Sequence, residues 1–316
     1  MARANAAYYA IHDPFADFVT APEISQMFGE LLGAWAAQVW QDMGSPHRVV
    51  LAEAGPGRGS LMADALRVIA KLTPDFLAAI DLWLIETSPL LRQAQASALP
   101  RAQFADDLYG LPSGPLILLA NEFLDALPIR QFRHTASGWA ERWVQNGDFI
   151  EIPSEPPPRD ADDGDIIERC QAAEAFIAAV AARVAASSGA ALFIDYGPSK
   201  SAPGDSLQAL LGGKPANPLS APGSADLTAH VDFETLANIA AASGASTQGP
   251  LAQGSFLSRL GIYQRAQVLA RGKEPKLAMR LMAEANRLAD PTTMGSLFKV
   301  LAVMDPKLPL PPGFLE

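Results

Sequence analysis

Apolar and polar positions fall into two alternating patterns along this chain. Ile24, Met27, Phe28, Leu31, Leu32, Trp35, Val39 and Met43 recur at helical spacing, which predicts a helix with one apolar face. Thr20, Pro22 and Glu23 suit its cap and first turn, and Gly44 its stop. The second pattern is the short apolar run, at 49–52, 80–85, 104–105, 115–120 and 191–194. Each run predicts a strand. The run at 115–120 has no polar position, so burial on both faces is expected. Helical stretches at 61–72 and after Ser88-Pro89 lie between the runs. Strands and helices in this alternation predict an α/β fold with a mostly parallel, doubly wound sheet.

Other stretches depart from that rhythm. Residues 8–20 read as irregular, with a turn at Asp13-Pro14. Gly29 and Gly33 lie four apart within the first helix and predict close packing against a neighbouring element. Alternating runs at 129–133, 139–144 and 149–152, separated by Ser137-Gly138 and Asn146-Gly147, predict a β-hairpin insertion over 129–152. Pro156-Pro157-Pro158 and the acidic stretch to Asp165 read as an exposed linker. An alanine-rich helix is expected over 166–187, with Cys170 as buried filler inside it. Residues 197–225, rich in Gly, Pro and Ser, read as a flexible loop or functional flap. A helix over 228–242, a helical insertion over 254–290 and a closing antiparallel strand over 297–303 complete the chain. We expect residues 1–45 to form an N-terminal segment and helix packed on the core, and residues 46–316 to form the main domain.

Composition narrows the function classes. With 316 residues, 49% of them hydrophobic, there is ample material for a sizeable core. The net charge of −10, with no dense Lys/Arg block, argues against nucleic-acid binding and is compatible with a cationic substrate. One cysteine precludes an intramolecular disulfide. No apolar stretch has the length of a membrane span, and a soluble, intracellular protein is expected. His12, His47 and His134 lack metal-ligand spacing, so no metal is expected. His230 reads either as a base or as a helix-start hydrogen bond. Nucleophile-elbow and P-loop motifs are absent.

The candidate chemistry gathers at the strand ends. Ligands of open α/β sheets bind outside the carboxyl ends of the strands, and four of those ends carry Glu53, Glu86, Asp106-Asp107 and Asn121-Glu122. After Glu53 comes a glycine turn, Gly55-Pro56-Gly57-Arg58-Gly59. A dinucleotide fingerprint would need glycine where Ser60 stands, which disfavours an NAD-dependent oxidoreductase. The spacing Glu53-x-Gly55-x-Gly57-x-Gly59 instead resembles the class I S-adenosylmethionine methyltransferases. In that reading Glu86 accepts the ribose hydroxyls, Asp106 and Asp107 face the adenine amino group, Asn121 joins the cofactor set, and Glu53 either binds cofactor or holds the turn. A guanidinium acceptor would need carboxylates to hold its planar fork. Glu122, Asp125 and Glu23 are the candidates.

Taken end to end, the chain resembles one family, the MidA-like methyltransferases. The resemblance is carried by DFVTAPEISQMFGELLGAW (17–35), EAGPGRGSLMADALR (53–67), ANEFLDALPIRQF (120–132), FIDYG (193–197), PGSADLTAHVDF (222–233), TQGPLAQGSFLSRLGI (247–262) and MGSLFKVLA (294–302). It implies a class I methyltransferase that uses S-adenosylmethionine and yields S-adenosylhomocysteine. Mitochondrial members are complex I assembly factors, which implies arginine methylation of a complex I subunit or similar protein. By motif, the glycine turn and Glu86 bind cofactor, while 121–125 and 20–25 border the methyl-transfer site. The rival readings are a small-molecule methyltransferase and a non-catalytic assembly factor retaining the fold. A cytoplasmic location, or the mitochondrial matrix, and a possible homo-oligomer accompany this reading.

Overall fold

A strand with no polar face must be covered on both sides, and that requirement organises the molecule. The computed structural model describes residues 1–11, 20–157, 159, 161–220 and 222–315. Helices α1 (Ala2–Ile11), α2 (Ala21–Ile24) and α3 (Gln26–Asp42) precede the first strand. Then follow β1 (Val49–Ala54), α4 (Ser60–Leu72), α5 (Pro74–Ala79), β2 (Ile80–Ile85), α6 (Pro89–Ala98), β3 (Gln103–Ala105) and β4 (Leu116–Asn121). Two hairpins, β5 (Arg130–Thr135), β6 (Gly138–Gln145) and β7 (Asp148–Pro153), lead to β8 (Ile166–Arg169). After them come α7 (Gln171–Ser187), β9 (Gly189–Tyr196), β10 (Gln208–Leu211), β11 (Lys214–Ala216), β12 (Asp226–Thr228) and α8 (Phe233–Ala242). The chain ends with β13 (Ser246–Ala252), α9 (Gln253–Leu260), α10 (Ile262–Ala270), α11 (Pro275–Ala289), α12 (Met294–Leu297) and β14 (Phe298–Met304).

The central sheet has seven strands in the order β3-β2-β1-β4-β9-β14-β13. The pairings of β3, β2, β1, β4 and β9 are parallel, and β14 runs antiparallel to both β9 and β13. β1 and β4 are buried along their whole length, each roofed by helices on both faces. One core layer joins Phe28, Trp35, Leu51, Leu61 and Leu119; the other joins Val50, Leu118, Ile177, Phe193 and Phe233. The chain leaves β1 towards β2 on one side and returns at β4 on the other, so the order reverses between them, where such sheets bind ligands.

α3 lies against α4 with backbones nearly touching. A Cβ on Gly29 would stand 2.7 Å from the Leu61 carbonyl oxygen, and one on Gly33 2.6 Å from that of Ala65. Buried Glu30 of α3 pairs with Arg67 of α4 (2.5 Å) and Arg265 of α10 (2.6 Å).

Several elements differ from expectation. Residues 2–11 are helical, and the Asp13-Pro14 turn, with His12, lies outside the described residues. The first long helix is broken at Ser25, which is extended (φ −158°, ψ 135°) and whose hydroxyl caps α3 by accepting the Met27 N–H (3.4 Å). Thr20 makes no side-chain cap. Residues 166–169 are a strand, because pairing with β5 buries Ile167 opposite Phe132; tertiary pairing overrides the helical pattern. Cys170 is consequently not helix interior: its sulfur accepts the Ala173 N–H (3.4 Å) at the start of α7. The stretch expected to be a loop contains β10 and β11, which form a small sheet with β12. Thr228 belongs to that sheet, and α8 starts later, capped by Asp232. β13 went unread because Gly249-Pro250 interrupts it, and its register with β14 shifts there.

Candidate functional site

β1 delivers Glu53 to its carboxyl end, and the chain then turns through Gly55, Gly57 and Gly59 with φ of 65°, 55° and 83°. These are left-handed conformations that side-chain-bearing residues rarely adopt. A Cβ on Gly55 would also stand 2.9 Å from the Phe123 ring. The turn opens onto a cleft of about 610 Å3 bounded by the ends of β1, β2 and β4. Glu23, Glu53, Gly55, Gly57, Glu86, Asp106, Asp107, Asn121 and Glu122 all line it, so residues spread over a hundred positions of sequence meet at one place. Gly59 and Asp125 do not line it. Gly59 closes the turn instead, its N–H donating to the Pro56 carbonyl (2.7 Å) ahead of α4.

Glu53 is buried, and its carboxylate accepts the Met62 N–H in the first turn of α4. It therefore anchors the helix after the turn rather than the turn itself. Its Oε2 has no partner, and burial pushes its pKa up to about 8. Asn121 Oδ1 is likewise buried and unpartnered. Two buried acceptors facing one cleft call for a ligand rich in donors. Glu86 holds the start of α6, its Oε1 accepting the Ser88 N–H (2.8 Å).

Sequence reading missed Gln95. Fully buried, it donates from Nε2 to the Gly57 carbonyl (2.7 Å) and to Glu86 Oε2 (3.2 Å), tying the turn to the second strand end. A polar residue on the apolar face of α6, one turn after Leu91, was the available signal. Asp106 is exposed and pairs with Arg92 (2.7 Å). Asp107 caps the turn 108–110, accepting from Tyr109 (2.9 Å) and Gly110 (3.0 Å).

Beyond Asn121 the chemistry changes to carboxylates. Glu122 sits at φ 50°, a strained conformation for a glutamate. Its Oε1 accepts from Ala21 N (3.2 Å) and Asn121 Nδ2 (3.0 Å). Asp125 is buried, with Oδ1 unpartnered and its carboxylate hydrogen-bonded by Tyr196 and by the Ala126 N–H. Asp195, from the end of β9, accepts the N–H groups of Leu124 (3.0 Å) and Asp125 (3.2 Å). Asp226 is buried close by. Burial pushes Glu122 and Asp125 up to about 7 each and Asp195 well above its ordinary value; the nearby Glu122 carboxylate adds to the shift of both aspartates, and Asp226 to those of Glu122 and Asp125. Among the described residues, Glu122, Asp125 and Asp195 have no ion-pair partner. A cation entering here would meet carboxylates already stripped of water.

Glu23 stands apart from this group. It is exposed and accepts the Ser60 hydroxyl (2.6 Å) at the start of α4. His230 lies outside the cleft; its backbone N–H donates to Ser206 Oγ (2.9 Å), and its ring stands edge-on to Tyr196. The acidic cluster of Asp195, Tyr196 and Asp226 was not singled out from sequence.

Known proteins resemble this chain over most of its length. The family model described as S-adenosyl-L-methionine-dependent methyltransferase matches residues 31–251. The protein arginine methyltransferase NDUFAF7, mitochondrial, of Danio rerio is 34% identical over 337 residues, covering 94% of this chain and 79% of that protein. Its Mus musculus counterpart is 36% identical, covering 91% of this chain and 74% of that protein. A COG1565 superfamily member from Burkholderia thailandensis, solved bound to S-adenosyl-homocysteine, is 27% identical with a TM-score of 0.76, covering 94% of this chain and 81% of that one. A native structure of such a protein from the same organism has a TM-score of 0.78 at 28% identity, covering 95% of this chain and 84% of that one. The chain belongs to the MidA-like family of class I S-adenosylmethionine-dependent methyltransferases, and it is a methyltransferase. The mitochondrial location is a property of the relatives; in this chain, among the described residues, no helix is long and apolar enough to cross a membrane.

Proposed function

We propose that the methyl acceptor is the guanidinium of an arginine in a protein, and that Glu122 and Asp125 hold it. The observation that carries this reading is the pair itself: two desolvated carboxylates without a cation, one at the edge of the cofactor cleft and one just behind it. The relatives' name, protein arginine methyltransferase, supports the same acceptor.

The cleft fits the cofactor. Glu53 Oε2 and Asn121 Oδ1, buried and unpartnered, would receive its ammonium group, Glu86 the ribose hydroxyls, and Asp106 and Asp107, on the same wall, would face the adenine. When bound, S-adenosylmethionine supplies a methyl group on a positively charged sulfur, whose C–S bond breaks as the new N–C bond forms. The chain's own residues do the rest by positioning and proton transfer. Glu122 and Asp125 orient the planar fork, so that one nitrogen presents its lone pair along the transfer line. That nitrogen must lose a proton, and a carboxylate with a pKa of about 7 is matched to take it near neutral pH. Asp125 Oδ1, buried and unpartnered, is the assigned acceptor. Glu23 borders the cleft through Ser60 and keeps α2 in place.

On the family resemblance, the acceptor protein is a subunit of respiratory complex I or a similar protein, and the enzyme acts in the bacterial cytoplasm or the mitochondrial matrix. The test is amino-acid analysis of protein labelled with radioactive S-adenosylmethionine. Methylarginine formed by the wild type and lost in Glu122→Gln and Asp125→Asn supports the reading. Arginine methylation that survives both substitutions overturns it.

A further inference from the structure

A second cleft, of about 650 Å3, lies beside the first, at the end of β9 and the start of β14. Such volumes are typical of built ligand sites, and the cofactor does not account for this one. The segment 122–127 separates the two. Glu122, Phe123, Ala126 and Leu127 line the cofactor cleft, Leu124 lines the second, and Asp125 is buried between them.

The second cleft also braces that partition from its own side. Ala229, on its wall, donates its N–H to the Asp125 carbonyl (3.0 Å), and the His230 ring stands edge-on to Tyr196 (5.7 Å), the tyrosine bonded to Asp125. Its lining is apolar at Leu124, Ile129, Ile167 and Leu236. The charges around it are largely neutralised in place, Arg159 with Asp232 (3.2 Å) and Arg169 with Glu174. A small ion gains little in such a site. A stretch of polypeptide with apolar side chains gains its burial. The cofactor cleft, in contrast, has Asn5, Ala6, Thr20, Pro22 and Glu23 along its wall, so the N-terminal helices crowd the approach of a macromolecule from that side.

We infer that the second cleft binds the segment of the acceptor protein flanking the target arginine, with apolar neighbours seated against Ile129 and Leu297 on its wall and the arginine side chain passing the 122–127 partition to reach Glu122 in the cofactor cleft. The inference rests on the arginine reading above. It predicts that specificity resides on the rim of this cleft, where Leu297 is 51% exposed and Ala202 is exposed without side-chain bonds.

The experiment measures initial rates of arginine labelling, with radioactive S-adenosylmethionine, in extract protein from cells lacking the gene. It compares the wild type with Ala202→Trp, which narrows the mouth, Leu297→Ser, which removes rim apolar surface, and Met279→Ser, an exposed control on α11. Labelling reduced roughly tenfold or more in the two rim variants, with S-adenosylhomocysteine affinity within about twofold of wild type and the control unaffected, supports the inference. Rim variants that label arginine as well as the wild type overturn it while leaving the arginine assignment standing. A wild type that binds S-adenosylhomocysteine but labels no arginine overturns the assignment and the inference together.

Discussion

The Ala21 N–H donates to Glu122 Oε1 at 3.2 Å, joining two residues 101 positions apart. One end of this bond belongs to the short helix α2 and the other to the strained residue that closes β4. The carboxylate assigned to the guanidinium is thus aimed by the N-terminal segment. Asn121 Nδ2 engages the same oxygen (3.0 Å), leaving Oε2 as the oxygen for a cation.

Methyl transfer is expected to rise with pH through about 7, because Asp125 and Glu122 must be ionised to orient the acceptor and take its proton, and burial holds both near that value. The pH dependence of kcat/KM checks this. Asp125→Asn is expected to lower kcat by about a hundredfold or more while S-adenosylhomocysteine still binds.

The ligand-free enzyme is expected to lose stability as pH rises from about 6 to about 8. Glu53, Glu122 and Asp125 have folded-state pKa values raised above their unfolded ones, to about 8, 7 and 7. Groups shifted in this direction contribute stability below the unfolded pKa, and that contribution is lost as pH passes the folded value. Thermal unfolding at the two pH values measures it, and Asp125→Asn is expected to reduce the difference.

Gln95→Leu is expected to weaken S-adenosylhomocysteine binding about tenfold, the worth of roughly one to two hydrogen bonds. The substitution frees the Gly57 carbonyl and Glu86 Oε2 from their common tether. Calorimetric titration reads the affinity, and an unchanged affinity would show the tether to be irrelevant to the site.

Glu30→Ala is expected to cost about 3 kcal/mol, since it leaves Arg67 and Arg265 facing one another without their shared carboxylate. The pKa of Glu30 is held low despite burial by those two arginines. Its contribution is therefore present above the unfolded carboxylate pKa and is lost as pH falls through the folded value. Urea unfolding of the variant and the wild type measures the cost at neutral pH.

The sequence was informative wherever one segment contained its own explanation. β1, the turn and α4 form one continuous pattern, as do β2 with Glu86 and the Ser88 cap, whose hydroxyl accepts the Leu91 N–H (3.4 Å). β8 was not legible, because Ile166 and Ile167 satisfy a helical pattern equally well and only pairing with β5 decides. Of the acidic cluster, Glu122 and Asp125 were legible from their motif, but the approach of Asp195 and Asp226 to them was not. Asp125 follows β4, Asp195 lies at the end of β9 and Asp226 opens β12, and an isolated acid at a strand terminus is ordinary. Their joint effect arises because β4 and β9 run side by side in the central sheet while β12, from the small sheet, brings Asp226 up to Asp125.

The interlock of Gly29 and Gly33 with α4 divides the molecule for anyone wishing to diversify it. Positions 29 and 33 admit no side chain, since the α4 backbone occupies the space one would need; libraries on that helix belong at exposed positions such as Gln38 and Gln41. Those two positions of α3 are accordingly closed to substitution. On the inference above, new acceptor preferences are sought around Ala202 and Leu297 instead, where exposed side chains can be exchanged without disturbing the sheet.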